Sequence, residues 1–114
     1  MTALLFIVVK VQAHDFEAVN NDGVTIYYKI INSSSVKVTY KGNTRYYANG
    51  EYSAAVNIPS TVTNNNINYS VVAIDDNAFW GCSELTSVVM SNTIASIGDR
   101  AFYNCSQLSY ISFS

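Results

Sequence analysis

Proline, histidine and tryptophan each occur once in the 114 residues, and cysteine occurs twice. These scarcities exclude several kinds of protein. The single histidine, His14, lies between polar neighbours that include Asp15 and Glu17, and no further His or Cys cluster completes a metal site around it. Only six residues are basic against eight acidic, for a formal charge of -2, so no electrostatic footprint for nucleic acid or anionic membrane is present. The apolar run Ala3-Leu4-Leu5-Phe6-Ile7-Val8-Val9 falls well short of the roughly 20 residues that cross a bilayer. No nucleophile elbow, phosphate-binding glycine loop or zinc motif occurs. The chain is not expected to be an enzyme, and it calls for no cofactor and no metal.

What is abundant points to strands. Hydrophobic residues make up 49% of the chain and charged ones 12%, a balance that folds. Val, Ile, Thr and Tyr dominate, and the near-absence of proline leaves long stretches free to pair.

The stretch from Ile74 to Ser114 says nearly the same thing twice. Ile74-Asp75-Asp76-Asn77-Ala78-Phe79-Trp80-Gly81-Cys82-Ser83-Glu84-Leu85 is followed 23 positions later by Ile97-Gly98-Asp99-Arg100-Ala101-Phe102-Tyr103-Asn104-Cys105-Ser106-Gln107-Leu108. The offset persists through Val88 and Ile111, Met90 and Phe113, and Ser91 and Ser114. A period in the twenties marks a solenoid whose units stack on one another. Leu85-Thr86-Ser87-Val88-Val89-Met90 has the L-x-x-L-x-L spacing of a leucine-rich repeat, so Leu85, Val88 and Met90 are expected to face inward and Ser87 and Val89 outward. Asp76 and Asp99 stand where the N-cap of a single helical turn is wanted, and Gly81 and Asn104 where that turn stops in the left-handed conformation. Phe79 and Phe102 read as core plugs.

Upstream, Val56 to Val62 matches Val88 to Ile94 at an offset of 32, and the 9 extra residues fall within Thr63–Ala73. Asn64-Asn65-Asn66 between two strand-like runs makes that insertion a hairpin. Val24–Ile31 and Val36–Lys41, separated by Asn32-Ser33-Ser34-Ser35, form another, with Val36, Val38 and Tyr40 inward. Residues 1–13 read as a partial signal peptide ending in Val11-Gln12-Ala13, although Lys10 interrupts its apolar core and no basic segment precedes it. Cys82 and Cys105 occupy equivalent repeat positions. Adjacent coils bring such residues within about 5 Å, in bridging range, but the parallel side chains suit two stacked thiols better than a disulfide.

The segments 74–85 and 97–108, together with Ile58-Pro59-Ser60-Thr61-Val62, resemble BspA-like leucine-rich repeats. The entry His14-Asp15-Phe16, the Gly23–Ile31 run and the turn at Tyr40-Lys41-Gly42-Asn43 are similar to that family's N-terminal β-cap. The sequence departs from the family pattern at Ser91, where proline is expected, and at Asp75, where glycine is. The resemblance implies a secreted or cell-surface bacterial protein with an interaction or adhesion role, and it supplies no ligand.

The expected fold is therefore mainly β with short helical turns. A partial signal peptide (1–13) and an antiparallel β-cap (14–52) precede leucine-rich repeats (53–114). These divide into an atypical unit at 53–73 and repeats at 74–96 and 97–114. By the two offsets, Ala55, Ser87 and Tyr110 form one outward row and Asn57, Val89 and Ser112 another. These six are the candidate exposed face, and Tyr110, the one large amphipathic side chain among them, is the leading contact residue. The expected partner is a protein: a host or matrix component, or a neighbouring cell surface. Two other readings are a carbohydrate-binding module, disfavoured because the repeat position buries Trp80, and a structural cap or spacer. The sequence also reads as the N-terminal part of a larger repeat protein, with Leu108, Ile111 and Phe113 facing an open end. The isolated chain is accordingly expected to self-associate or to be marginally stable. A monodisperse monomer with a high melting temperature would count against that expectation.

Overall fold

The computed structural model describes residues 14–42 and 51–114. The apolar run at 1–13 and the turn residues over 43–50 lie outside the described residues. Nine strands are present among the described residues and no helix. They are β1 (Phe16–Val19), β2 (Thr25–Ile30), β3 (Ser35–Thr39), β4 (Ala54–Ile58), β5 (Thr61–Asn64), β6 (Ile67–Ile74), β7 (Leu85–Met90), β8 (Ser96–Ile97) and β9 (Tyr110–Phe113).

Period-two alternation builds the first sheet, ordered β1-β2-β3-β6-β5, with β8 also on β6. Ile26 and Tyr28 on β2 and Val36 and Val38 on β3 are buried while Tyr27 and Lys37 between them are not, so one face is committed to the core. Strands β1, β2 and β3 pair antiparallel, and β3 then joins β6 in parallel, Val36 beside Val71. The 61–74 hairpin turns at Asn65 and Asn66, both at positive φ (50° and 63°), as a two-residue type I′ connection requires. Tyr40 is only half-buried, unlike Val36 and Val38.

The second sheet is parallel throughout, β4-β7-β9. Its register sets Val56 beside Val88 beside Ile111, and Ile58 beside Met90 beside Phe113. Val56, Leu85, Val88 and Met90 are fully buried between the two sheets.

The segments between the sheets do not form the expected helical turn. Ala78, Trp80 and Cys82 donate to the carbonyls of Asp75, Asn77 and Phe79, three residues back. The alternate residues Asn77, Phe79 and Gly81 instead donate to Asp99, Ala101 and Tyr103 of the next coil, at 3.0, 2.7 and 2.8 Å. Positive φ at Asn77 (61°) and Gly81 (72°), repeated at Arg100 (53°) and Asn104 (59°), turns every second N–H along the stacking direction. A helix would have aimed all of them at its own carbonyls four residues back. The Asp76 carboxylate is correspondingly not an N-cap, because its Oδ1 accepts the N–H of Asp99 at 2.7 Å, one coil on.

Aromatic rings run through the same column. Tyr52 packs on Phe79 at 4.6 Å, and Phe79 stacks on Phe102 at 5.0 Å with the rings 7° from parallel. The buried Tyr52 hydroxyl donates to the Thr39 carbonyl (2.7 Å) and accepts the Tyr27 N–H (3.0 Å), so β2 and β3 are fastened to the aromatic column without an unsatisfied polar group. Burial pushes the Tyr52 phenol well above its ordinary pKa.

Gly98 and Asp75 occupy equivalent places and explain each other. A Cβ on Gly98 would run into Asp76 and the Asp75 carbonyl carbon of the preceding coil. Asp75 has no such coil before it. It meets β3 instead, where its carboxylate accepts the Thr39 hydroxyl (2.9 Å) and pairs with Lys37 (2.8 Å). Truncating Phe79 to Ala should cost about 3–5 kcal/mol, and Gly98→Ala about 1–3 kcal/mol through overpacking. Urea unfolding of the two variants beside the parent checks both values.

Candidate functional site

The strand face opposite the core carries two rows. Ala55, Ser87 and Tyr110 are hydrogen-bond neighbours across β4, β7 and β9, and Asn57, Val89 and Ser112 form the next row. Counting offsets of 32 and 23 along the chain arrives at the same neighbours. The rows are not uniformly open. Tyr110 is 57% exposed, Ala55 and Asn57 are exposed, and Val89 and Ser112 are half-buried. Ser87, expected outward and accessible, is buried, because a short side chain on the central strand is screened by both neighbouring strands. What remains is a shallow surface with one large aromatic at its β9 side.

Its β4 side is tied to the turn between β1 and β2. The Asn57 amide donates to the Asp22 carboxylate at 2.5 Å, and the Asn20 amide donates to the Asn57 carbonyl at 2.9 Å. The Asn20 side-chain oxygen in turn accepts the N–H groups of Asp22 and Val24, closing the turn before β2. A hollow of about 270 Å³ lies here among Asn20, Asp22, Asn57 and Pro59. Its amide and carboxylate groups are spent on one another, so Asn57 acts as an anchor and is not free to meet a ligand. At the far end of β7, Ser91 stands where the repeat favours proline. Its hydroxyl lies 2.6 Å from that of Thr93, which donates to the Val71 carbonyl at 2.7 Å, a link proline lacks the group to make.

His14 and Glu51 are engaged structurally. His14 packs edge-on against Tyr27 and its Nδ1 lies 2.9 Å from the Lys41 carbonyl oxygen. The Glu51 carboxylate accepts the N–H groups of Lys41 and Gly42; burial raises its pKa, and these two bonds oppose the shift. Among the described residues, no group of three His, Cys, Asp or Glu side chains is placed to hold a metal.

Both cysteines are free thiols, Cys82 buried and Cys105 half-buried. The Cys105 S–H donates to the Phe79 carbonyl at 3.0 Å, and burial pushes this thiol above its ordinary pKa. Trp80 departs from expectation, being half-buried instead of enclosed. One side of its ring meets Tyr103, 4.4 Å between centroids, and the Arg100 guanidinium lies 6.0 Å from the ring centre.

Sequence reasoning missed Tyr52 as the link from β2 and β3 to Phe79, since a lone tyrosine beside a turn carries no periodic signal. It also missed the left-handed residues Asn77 and Arg100. Asn77 was open to such a reading, because asparagine tolerates that conformation, whereas Arg100 gives no sign of it. The raised thiol pKa delays thiolate formation as pH rises. Cys105 should therefore react with a disulfide reagent more slowly than free cysteine at pH 8, and Cys82 only on unfolding. Thiol titration before and after adding denaturant measures both.

No curated protein matches the chain. Solved structures do. A leucine-rich repeat protein from Bacteroides ovatus aligns at a TM-score of 0.63 and 28% identity, over 93% of this chain and 22% of that one. A leucine rich cell surface protein from Faecalibacterium prausnitzii aligns at 0.62 and 26% identity, over 87% of this chain and 24% of that one. The chain thus spans about a quarter of the length of these relatives. A leucine-rich repeat protein from Bacteroides capillosus, at 24% identity and a TM-score of 0.61, shows the same fold over 78% of this chain and 61% of its own. Among the described residues, no helix is long and apolar enough to cross a membrane. The family model described as "BspA type Leucine rich repeat region (6 copies)" matches residues 51–114, more than half of the sequence, and the chain belongs to that family.

Proposed function

We propose that the chain is a secreted or surface-displayed interaction module that presents the β4-β7-β9 face to a protein partner. The observation that carries this reading is Tyr110, an amphipathic ring left 57% exposed on a rigid parallel sheet. Tyrosine supplies large contact area at small entropy cost, and it sits beside the short side chain of Ser87, where a partner can approach closely. The parallel registers and the turn-to-turn ladder support a solenoid of 23-residue repeats, whose open strand face is the surface such stacks offer to partners. Family membership and the likeness to a bacterial cell-surface protein support a surface location. The partner class that fits is a host or matrix protein or a component of a neighbouring cell.

Extracellular-matrix proteins and whole bacterial cells, immobilised as a panel, test this reading. A ligand captured by the parent chain should lose at least tenfold in affinity with Tyr110→Ala, since an aromatic anchor contributes about 2 kcal/mol or more. Tyr103→Ala, on the turn column, should leave that affinity unchanged. Equal binding by the parent chain and Tyr110→Ala would remove the assignment of the face.

A further inference from the structure

The first sheet curls until its two outer strands, β1 and β5, come near each other without pairing. The alternation of the ladders shows what each strand turns outward. Tyr27 sends its N–H toward β3, to the Tyr52 hydroxyl that also meets Thr39 there. Its β1 partner Glu17, and Val19 two residues on, therefore point their N–H and C=O groups away from β2. Ser70 likewise donates to the Ser34 carbonyl on the β3 side, so its β5 partner Thr61, and then Thr63, point theirs away from β6. Both rows open onto the seam between β1 and β5. Among the described residues, no protein group bonds these four N–H groups.

Burial falls off at the same place. Ile26, Tyr28, Val36 and Val38 on the central strands are fully buried, whereas Phe16 and Ala18 on β1 and Val62 on β5 are only half-buried against the same core. Phe16 stacks on Tyr28 at 5.2 Å and on Tyr69 at 5.9 Å, which carries the floor of the seam across from β2 to β6. One end is tied, where the Asn20 amide reaches the Asn57 carbonyl at 2.9 Å. No residue from Tyr52 to Ile74 is charged, so the β5 side is neutral, while Glu17 sets an exposed carboxylate on the β1 side.

What fits the seam follows from these groups. A strand repeats its N–H and C=O on one side every second residue, roughly 7 Å apart, and another extended chain matches that spacing. Apolar side chains at its alternate positions would finish covering Phe16, Ala18 and Val62, and a basic one beside Glu17 would pair opposite charges across strands. A second copy fits poorly, because its own open edges, Phe16–Val19 and Thr61–Asn64, carry no basic residue.

We infer that the seam between β1 and β5 is a strand-addition site. Its occupant is an extended segment of a partner protein, apolar at alternate residues and carrying a lysine or arginine beside Glu17. The site lies on the first sheet, and it stands or falls separately from the Tyr110 face on the second.

A capped peptide copying residues 34–40 has the required pattern, with Val36, Val38 and Tyr40 on one side and Lys37 on the other. Amide hydrogen exchange is read by NMR in the 114-residue chain, alone and with the peptide titrated to millimolar concentration. The peptide should slow the Glu17, Val19, Thr61 and Thr63 amides at least tenfold. The Ala18 and Val62 amides, already bonded to β2 and β6, should change less, which gives an alternating pattern. Replacing the peptide's lysine by glutamate should weaken binding at least threefold, and Glu17→Gln in the chain should remove that difference. A peptide methylated on alternate backbone nitrogens, those turned to the seam, should protect none of the four. Two results overturn the inference. One is fast exchange at all four amides at every peptide concentration. The other is protection of the four in the chain alone, because the seam would then be filled without a partner.

Discussion

The fold depends on a division of labour among backbone N–H groups in the segment from Asn77 to Cys82. Half of them close the turn and half reach the next coil. Each residue has one donor, so the two tasks require a backbone that alternates direction, and Asn77 and Gly81 at positive φ supply it. The consequences spread to both sides. The ladder fixes the coil spacing at which Phe79 and Phe102 stack face to face, and it holds β7 and β9 in the parallel register that buries Val88 and Met90. Gly98 is a second consequence: coils this close leave no room for a Cβ beside Asp76.

The start of the stack shows how such a ladder is begun. No regular coil precedes Ile74. Strand β3 takes that place, in parallel beside β6, with the Asp75 N–H bonding the Val38 carbonyl as the Gly98 N–H bonds that of Ile74, and side chains add to these backbone bonds. Asp75 accepts from Thr39 and pairs with Lys37, and Tyr52 bonds Thr39 and Tyr27 while its ring covers Phe79. Side chains at the junction thus supplement a backbone ladder that continues inside the stack. That is why Asp75 and Tyr52 look irregular against the repeat pattern: they face a different neighbour.

Strand character and neighbour relations were legible in the sequence, because both follow from counting. Offsets of 32 and 23 bring Ala55, Ser87 and Tyr110 together, and Asn64-Asn65-Asn66 announces a hairpin by its chemistry. The conformation of the turn was not legible. Asp76 before Ala78-Phe79 reads as a helix start on local preference, and only contact with the next coil makes the alternating turn the better choice. Arg100 at positive φ has the same origin, since tertiary hydrogen bonding overrides a local cost of about 1–2 kcal/mol. Of the candidate face, positions could be read and accessibility could not. Ser87 is buried by its place on the central strand and Asn57 is engaged by Asp22, which concentrates the functional reading on Tyr110.

The central claim is that alternate N–H groups bond across coils. Scalar couplings transmitted through hydrogen bonds in an isotope-labelled sample test it most directly. The account predicts couplings from the amide nitrogens of Asn77, Phe79 and Gly81 to the carbonyl carbons of Asp99, Ala101 and Tyr103. It also predicts that Trp80 and Cys82 couple to Asn77 and Phe79 and to nothing in the next coil. Couplings from this segment to carbonyls four residues back, as in a helical turn, would contradict it.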